Sequence, residues 1–299
     1  MFHLRAPAKI NWYLKVLNKR KDGFHNIESL MQKISLFDEM TFQHSDTVDL
    51  LINPPMNISI SDNLIYRTVL KLREKLNIQK GVSIKVKKNV PIGAGLGGGS
   101  SDSAYTLIGL NKLWGLGLSK EDLTGLAIEI GSDVPFFLSS FLASVKGKGE
   151  VIEELDDCQS YNIVIVKPKM SISTAWAYGL LNRGEDTSYQ SDLNEFIKAF
   201  LNGDFNTMSK LGINDFENPI FRHYPELSQI KGALIKSGSQ YSLMSGSGSC
   251  IFGLFETKQE ASYVANYLKG LWDDLYIEVA ESICRWRDLN SHVLADSGF

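Results

Sequence analysis

The chain has 299 residues, enough for one large domain or two of ordinary size. Hydrophobic residues make up 43% and charged residues 22%, a balance that excludes a disordered chain. With 31 Lys and Arg against 34 Asp and Glu, the net charge is -3, which excludes the broad basic surface of a nucleic-acid-binding protein. We therefore expect no nucleic-acid partner, and any anion-binding site must be formed by a few residues rather than by a broad basic surface.

Cysteines and apolar runs indicate the cellular compartment. Cys158, Cys250 and Cys284 are widely separated and lack CxxC spacing, so we expect reduced thiols, no disulfide framework and no zinc site. No apolar run approaches the roughly 18 residues that a membrane span needs, and residues 1–5 lack the pattern of a signal peptide. These features predict a cytoplasmic protein without a membrane partner.

Hydrophobic periodicity predicts the elements of the first half of the chain. Alternating stretches predict strands over residues 10–17, 33–42, 47–52 and 82–86. Helical spacing predicts helices over 63–76, 104–114 and 120–130, the first capped by Ser61 or Asp62 and the last by Ser119 with Asp122. The Gly-rich loop 146–150 and the acidic stretch 153–157 then predict a domain boundary near residue 152.

The second half of the chain continues to mix strands and helices. Strands are predicted over 161–166, 241–244, 250–255 and 275–279, and helices over 171–182, 192–202, 225–237 and 258–271. The polar stretch 182–191 is predicted to be a loop. This pattern predicts an α+β protein with two domains, residues 1–152 and 153–299.

A glycine-rich segment between residues 91 and 104 is the strongest chemical signal, because it follows a predicted strand and precedes a predicted helix. Its glycines would let backbone N–H groups converge on an anion at the start of that helix. Ser100 and Ser101 add hydroxyl donors. The segment therefore predicts a phosphate-binding loop.

Known phosphate loops give three ways to interpret this segment. The pattern GxxxxGK[ST] is absent, because no Lys follows the glycines. The dinucleotide pattern GxGxxG is met by Gly93, Gly95 and Gly98, but the region around 114–121 is a predicted helix end and turn, where a ribose-binding acid should end a strand. A dinucleotide-dependent oxidoreductase stays open as an alternative, while the serines and the Gly-Leu pair favour a third class.

Three segments, taken together, resemble one superfamily of small-molecule kinases. Residues 6–11 (Ala-Pro-Ala-Lys-Ile-Asn), 91–104 and 244–249 (Met-Ser-Gly-Ser-Gly-Ser) are similar to the signature segments of galactokinase, homoserine kinase, mevalonate kinase and phosphomevalonate kinase. Residues 19–26 and 131–137 further resemble the members that act on 4-diphosphocytidyl-2-C-methyl-D-erythritol. The resemblance implies a two-lobe fold, with an N-terminal lobe like domain 2 of ribosomal protein S5 and a ferredoxin-like C-terminal α/β sandwich.

The resemblance also implies an activity and its cofactors. It implies transfer of the γ-phosphoryl group of ATP, with Mg²⁺, to the 2-hydroxyl of that cytidine diphosphate-linked acceptor, in the methylerythritol phosphate route to isoprenoid precursors. The partners would be these two small molecules, bound in the cleft between the lobes. A superfamily member with homoserine or mevalonate as acceptor, or one that only senses nucleotide, stays open.

Two residues carry the chemistry that the resemblance implies. Asp133 matches the catalytic aspartate, which takes the proton of the acceptor hydroxyl and orients its lone pair toward phosphorus. Lys9 matches the partner lysine, whose charge keeps that carboxylate ionised and offsets charge on the transferred group.

The remaining matched residues divide between the two ligands. On the acceptor side, Asn11 and His25 match polar recognition residues, Phe24 and Tyr178 match a pair of rings that sandwich the cytosine, and Thr174 matches a donor to the diphosphate or diol. Phe24 stands where the family usually has Tyr. The residues matched to ATP binding are Asn63, Leu64, Lys88, Pro91, Gly93, Gly95, Leu96, Gly97, Gly98, Gly99, Ser100 and Ser101. No residue is assigned to the metal.

Overall fold

The computed structural model describes residues 1–55, 58–156, 158–181, 183–184 and 190–284. They form two compact units built from discontinuous segments. The first unit comprises Met1–Ala8, Leu36–Pro91 and Gly97–Ser140, and the second comprises Lys9–Ser35, Ile92–Leu96 and the described residues from Phe141 onward. The division of the chain at residue 152 stays a prediction, and the last part of its second domain, 285–299, lies outside the described residues.

The elements follow one another along the chain in this order. The first part contains β1 (Phe2–Lys19), β2 (His25–Ser45), β3 (Val48–Asn53), α1 (Leu64–Leu76), β4 (Gly81–Lys87), α2 (Gly98–Trp114), α3 (Lys120–Ile130), α4 (Val134–Leu138), β5 (Leu142–Gly147) and β6 (Val151–Glu154). The second part contains β7 (Asn162–Lys167), α5 (Thr174–Gly179), α6 (Leu193–Leu201), α7 (Phe205–Leu211), α8 (Glu217–His223), α9 (Pro225–Lys236), β8 (Tyr241–Met244), β9 (Ile251–Phe255), α10 (Lys258–Leu271) and β10 (Tyr276–Glu281). No helix of the described residues is long and apolar enough to cross a membrane.

In the first unit, helices pack beside β3, β4 and the end of β2. Strand β3 pairs in parallel with β4, and β4 pairs antiparallel with the end of β2, from Glu39 opposite Lys87 to Ser45 opposite Gly81. Helix α2 contacts α1, α3 and α4. A Cβ on Gly109 of α2 would lie 2.6 Å from the ring of Phe42, so the missing side chain lets the helix approach the strand closely.

In the second unit, an antiparallel sheet has the order β10-β7-β9-β8, and α9 and α10 pack against it. The first part of β2 pairs with β5, and β5 pairs with β6. The core is aromatic. Trp12 lies against Phe200 and Phe252, with ring centroids 5.2 Å and 5.3 Å apart, and its indole N–H donates to Gln32 Oε1 at 2.7 Å. This hydrogen bond satisfies the one polar atom of a buried indole.

Several predicted boundaries were wrong for local reasons. The N-cap of α1 is Asn63, whose Oδ1 accepts the N–H of Ile65 at 2.9 Å, and not Ser61 or Asp62. Within the described part of the predicted helix 171–182, only Thr174–Gly179 is helical (α5), and residue 182 lies outside the described residues, as does most of the predicted loop 182–191. The loop 146–150, on which the predicted domain boundary rests, includes the turn of a hairpin that joins β5 to β6, and the boundary itself stays a prediction. The capping box of Ser119 and Asp122 is confirmed.

The expectation of reduced thiols was wrong for two of the three cysteines. Cys158 and Cys284 form a disulfide, while Cys250 is a buried free thiol. Cys158 precedes β7 and Cys284 follows β10, and these strands are antiparallel, with Asn162 opposite Glu281. The pairing brings the two thiols together from 126 residues apart, a distance at which the sequence carries no signal for it.

Candidate active site

Lys9 is a buried cation with fixed partners. It lies on β1 with 3% of its surface exposed, and its ammonium donates to Asn11 Oδ1 at 2.7 Å and to the carbonyl of Gly95 at 3.1 Å. Lys9 and Asn11 share one face of the strand because they are two residues apart. The amide of Asn11 donates to Ser29 Oγ at 2.8 Å, and that hydroxyl donates to the carbonyl of Tyr13 at 2.6 Å. These bonds set the position of the ammonium.

The glycine loop runs from residue 91 to residue 99, and its first half, Ile92–Leu96, packs against the Ser245–Ser249 segment within the second unit. A Cβ on Gly95 would lie 1.9 Å from the carbonyl oxygen of Ser245, and Gly95 has a φ of +74°, so both space and conformation require glycine. Ser245 Oγ donates to the carbonyl of Gly95 at 2.9 Å, and the N–H of Cys250 donates to that of Ala94 at 3.1 Å. Gly95 thus accepts hydrogen bonds from both Lys9 and Ser245.

Two side chains that the sequence did not single out hold the Ser245–Ser249 segment. The buried amide of Asn214 donates to the carbonyls of Met244 at 2.7 Å and Gly246 at 2.8 Å. Glu217 Oε1 accepts the N–H of Met244 at 2.7 Å. The only signal for these residues is the Asn-Asp-Phe-Glu sequence where α8 begins, which is typical of an ordinary helix start.

Aromatic and imidazole rings gather among the predicted acceptor residues. His25 stacks on Tyr178, and the ring of Phe216 meets Tyr178 edge-on, with centroids 4.9 Å apart. Phe24 is 49% exposed, and the ammonium of Lys148 lies 5.0 Å from its ring centroid. The structure therefore brings His25 and Tyr178 together, whereas the predicted pairing of Phe24 with Tyr178 around a cytosine stays a prediction.

The environment of His25 favours a neutral imidazole. Burial lowers its pKa below the ordinary 6.5, and the positive charges of Lys19 and Arg183 lower it further. Arg183 is held by Asp215 at 2.8 Å, and Asp215 also accepts the N–H of Val16 at 2.8 Å. A neutral ring has one donor nitrogen and one acceptor nitrogen, which suits the edge of a base.

Thr174 begins the short helix α5 beside the Ser245–Ser249 segment. Ser173 Oγ caps this helix by accepting the N–H of Trp176 at 3.4 Å. Thr174 Oγ1 lies 3.0 Å from Ser247 Oγ, so the two hydroxyls are hydrogen-bonded to each other. All five predicted acceptor residues belong to the second unit.

The second half of the glycine loop starts α2 within the first unit. Gly97, at a φ of +70°, turns the chain into the helix, which begins at Gly98, six residues earlier than predicted. A Cβ on Gly99 would lie 3.6 Å from Leu64, and one on Gly98 would lie 3.5 Å from Lys88 Nζ. The first turn of α2 thus lies beside predicted ATP-binding residues, and the N-terminus of a helix attracts phosphate through its backbone N–H groups and its dipole.

Lys88 and Asp133 lie in that same unit in different settings. Lys88 is bound by Asp38 and Asp102, so a direct contact with nucleotide stays a prediction. Asp133 directly precedes α4, which packs on α2, and its half-buried side chain does not cap the helix. The role of Asp133 as the catalytic base stays a prediction.

Comparison with known proteins decides the family. The model of the GHMP kinases N terminal domain matches residues 63–141, and that of the GHMP kinases C terminal domain matches 196–274. A protein of Thermodesulfovibrio yellowstonii named 4-diphosphocytidyl-2-C-methyl-D-erythritol kinase is 42% identical over 277 residues, covering 91% of this chain and 96% of that protein. One of Enterococcus faecalis with the same name is 39% identical over 275 residues, covering 91% and 96%. The chain belongs to the 4-diphosphocytidyl-2-C-methyl-D-erythritol kinases.

Solved structures agree with this assignment. A crystal structure of 4-(cytidine 5'-diphospho)-2C-methyl-D-erythritol kinase is 32% identical to this kinase, with a TM-score of 0.77, covering 93% of this chain and 98% of that one. A homoserine kinase from Cytophaga hutchinsonii, 19% identical with a TM-score of 0.74 and 94% coverage of both chains, shares the fold. The two-lobe α+β kinase fold and an ATP-dependent small-molecule kinase are thus confirmed, and the oxidoreductase alternative was wrong.

Proposed function

We propose that this kinase transfers the γ-phosphoryl group of ATP to the 2-hydroxyl of 4-diphosphocytidyl-2-C-methyl-D-erythritol, a step of the methylerythritol phosphate route to isoprenoid precursors. The observation that carries the proposal is the meeting of the three signature segments at Lys9. Its ammonium and the hydroxyl of Ser245 both donate to the carbonyl of Gly95. A buried, oriented cation at the junction of these segments is suited to a transferring phosphoryl group.

In this mechanism the acceptor oxygen attacks the γ-phosphorus while its proton passes to the carboxylate of Asp133, and ADP leaves. Lys9 offsets the negative charge that spreads over the transferred oxygens. Gly97, Gly98, Gly99, Ser100 and Ser101 bind the phosphates through backbone N–H groups and hydroxyls. The positive end of the α2 dipole adds to this attraction.

On the acceptor side, we propose that Tyr178 and Phe24 stack on the cytosine and that neutral His25 hydrogen-bonds its edge. Thr174 donates to the diphosphate or diol. Asn11 acts through Lys9, because its side-chain oxygen accepts from the ammonium and its amide is bonded to Ser29. This set distinguishes a nucleotide-linked acceptor from homoserine or mevalonate, which offer no base to stack.

Mg²⁺ fits this site as a companion of ATP. Within the described residues, no three His, Cys, Asp or Glu side chains gather as a metal site. Such a set is not needed, since Mg²⁺ keeps several waters and is commonly held by substrate phosphates with one or two protein oxygens. When bound, it neutralises charge on the β- and γ-phosphates. We further propose that the enzyme acts in the cytoplasm.

The test is an ADP-release assay with ATP, Mg²⁺ and one acceptor at a time. We expect turnover with the diphosphocytidyl acceptor and none with homoserine or mevalonate. As a control, free methylerythritol phosphate, which lacks the cytidylyl group, should be a poor acceptor. Turnover with homoserine or mevalonate, and none with the diphosphocytidyl compound, would overturn the acceptor assignment.

A further inference from the structure

A buried cluster of three charged side chains lies in the first unit, made of Asp38, Lys88 and Asp102. The ammonium of Lys88 forms ion pairs with Asp38 Oδ2 and, at 2.7 Å, with Asp102 Oδ2. Both carboxylates are buried, and only 7% of the Lys88 side chain is exposed. Two carboxylates therefore share one ammonium away from water.

The cluster connects both ends of the glycine loop to β2. Asp38 lies on β2, and its Oδ1 accepts the N–H groups of Asn89 at 2.6 Å and Val90 at 2.8 Å, directly before the loop. Asp102 lies in the second turn of α2, the helix that begins with the last glycines of the loop, Gly98 and Gly99. Lys88 thus links the backbone that leads into the loop with the helix that leaves it.

The charges of the cluster interact with one another. Burial raises the pKa of Asp102 to about 7, opposed by Lys88 and reinforced by Asp38, the two charged groups that act on it. Burial lowers the pKa of Lys88, but the two carboxylates outweigh burial and the net direction is upward. Lys88 therefore stays charged and bound, and its charge is already neutralised before any phosphate arrives.

Stability alone does not account for such a cluster, because a buried ion pair often contributes no more than apolar side chains of the same size. The position of the cluster, beside both ends of the glycine loop, gives a reason for it. Backbone donors bind phosphate best when they are held in place before the ligand arrives. Before the loop, the N–H of Asn89 donates to buried Asp38 at 2.6 Å, and after it, Asp102 accepts from buried Lys88 at 2.7 Å.

We infer that Asp38, Lys88 and Asp102 are positioning residues for nucleotide binding, which hold both ends of the glycine loop so that its N–H groups face the phosphates. The inference rests on the proposed function in taking ATP as the nucleotide. It concerns the affinity for ATP and does not depend on which acceptor the enzyme uses.

The test is the double variant Lys88→Met/Asp102→Leu, which replaces the linking pair with apolar side chains. Asp38 keeps its two backbone donors but loses its counter-ion, and a buried carboxylate left without one is strongly destabilising, so we expect a lower melting temperature. Binding is therefore measured at a temperature where circular dichroism shows the variant to be folded. The dissociation constant of a fluorescent ATP analogue should rise about 10-fold or more, while the KM of the acceptor should not change. An ATP affinity equal to that of wild type would overturn the inference.

The matched control is Lys71→Met/Glu129→Leu, which removes an exposed ion pair of the same unit with the same 2.7 Å separation. It should leave ATP affinity unchanged, and a loss there as large as that of the cluster variant would count against the inference.

Single variants at Asp102 keep the inference testable if the double variant does not fold. Asp102→Asn retains an oxygen that accepts from Lys88 and should bind ATP within about threefold of wild type, whereas Asp102→Leu should weaken binding about 10-fold. Equal affinities for these two variants would overturn the inference. A wild-type protein that binds ATP but fails to phosphorylate the diphosphocytidyl acceptor would refute the proposed function and leave the binding comparison intact.

Discussion

His25 and Tyr178 stack face to face, with ring centroids 5.0 Å apart and 19° between the ring planes. Phe216 supports Tyr178 from its edge. The stack places the imidazole of His25, which can form hydrogen bonds, directly against the aromatic ring of Tyr178. Recognition of an unpaired base commonly combines stacking on its face with hydrogen bonds to its edge.

Replacement of Tyr178 by Ala should raise the acceptor KM about 10- to 100-fold, because stacking contributes about 1 to 3 kcal/mol per base. The KM for ATP should not change. Steady-state kinetics with each substrate varied in turn measures both. Tyr267→Ala, at an exposed position of α10, is the matched control and should behave as wild type. Equal losses for both substrates in Tyr178→Ala would point to a folding defect.

The pKa of His25 should lie below 6.5 in the folded protein, and a titration of its ring by NMR measures it. Lys19→Met should raise this pKa because it removes one of the two positive charges that lower it. Lys21→Met, two residues further along the chain, is the control and should leave it unchanged.

The same shift predicts how stability depends on pH. As the pH falls, the imidazole is protonated in the unfolded chain, near pH 6.5, before it is protonated in the folded protein, where its pKa is lower. The neutral His25 therefore stabilises the fold above pH 6.5, and this contribution is lost as the pH falls from 6.5 through the pKa of the folded state. Denaturation at several pH values should show this loss in wild type and not in His25→Gln. A folded pKa above 6.5 would contradict the prediction.

Asp133→Asn should lower kcat about 100-fold or more, because an amide cannot take the proton of the acceptor hydroxyl. Nucleotide affinity should be retained. Single-turnover kinetics combined with ATP binding separates the two effects. Asp46→Asn, an exposed change on the turn between β2 and β3, serves as the control. Near-normal turnover in Asp133→Asn would remove this residue from the role of base.

Gly95→Ala should abolish most activity, since the new Cβ would lie 1.9 Å from the carbonyl oxygen of Ser245 at a φ that Ala rarely adopts. We expect kcat/KM for ATP to fall at least about 100-fold. Gly270→Ala, in α10 with open space around it, should keep full activity and gain about 0.5 to 1 kcal/mol of stability. Steady-state kinetics and thermal unfolding of the two variants measure these effects. Equal values of kcat/KM for Gly95→Ala and Gly270→Ala would refute the prediction.

Reduction of the bond between Cys158 and Cys284 should lower the stability of the protein, because the bond closes a loop of more than one hundred residues. Chain entropy gives about 4 to 5 kcal/mol as the upper bound for such a loop. Urea unfolding with and without a reductant measures the effect. The variant Cys158→Ser/Cys284→Ser should be insensitive to the reductant, and a wild type equally insensitive would contradict the bond.

The sequence was sufficient for features that are local in the chain. Periodicity located most helices and strands, and the capping box at Ser119 follows from four consecutive residues. The start of α2 was misplaced because Gly98 and Gly99 are poor helix formers, and a helix there depends on the turn at Gly97 and on packing.

Features that depend on distant parts of the chain were missed. Asn214 bonds to Met244 and Gly246, thirty and more residues away, and its role is invisible without their positions. Lys88 reads as a free cation near a phosphate loop until Asp38, fifty residues earlier, is seen beside it. Family resemblance supplied the residues that we propose for the chemistry, and the structure shows which side chains and backbone groups contact several of them.

The interleaved composition of the two compact units limits how this kinase can be divided. A fragment that starts at residue 153 would lack Lys9–Ser35, and with them Lys9 and His25, although these segments belong to the same unit as its own sheet. A fragment that ends at residue 152 would carry those strands without the sheet residues of their unit. Splitting the gene near this position should therefore yield insoluble pieces rather than a separate nucleotide-binding half and acceptor-binding half.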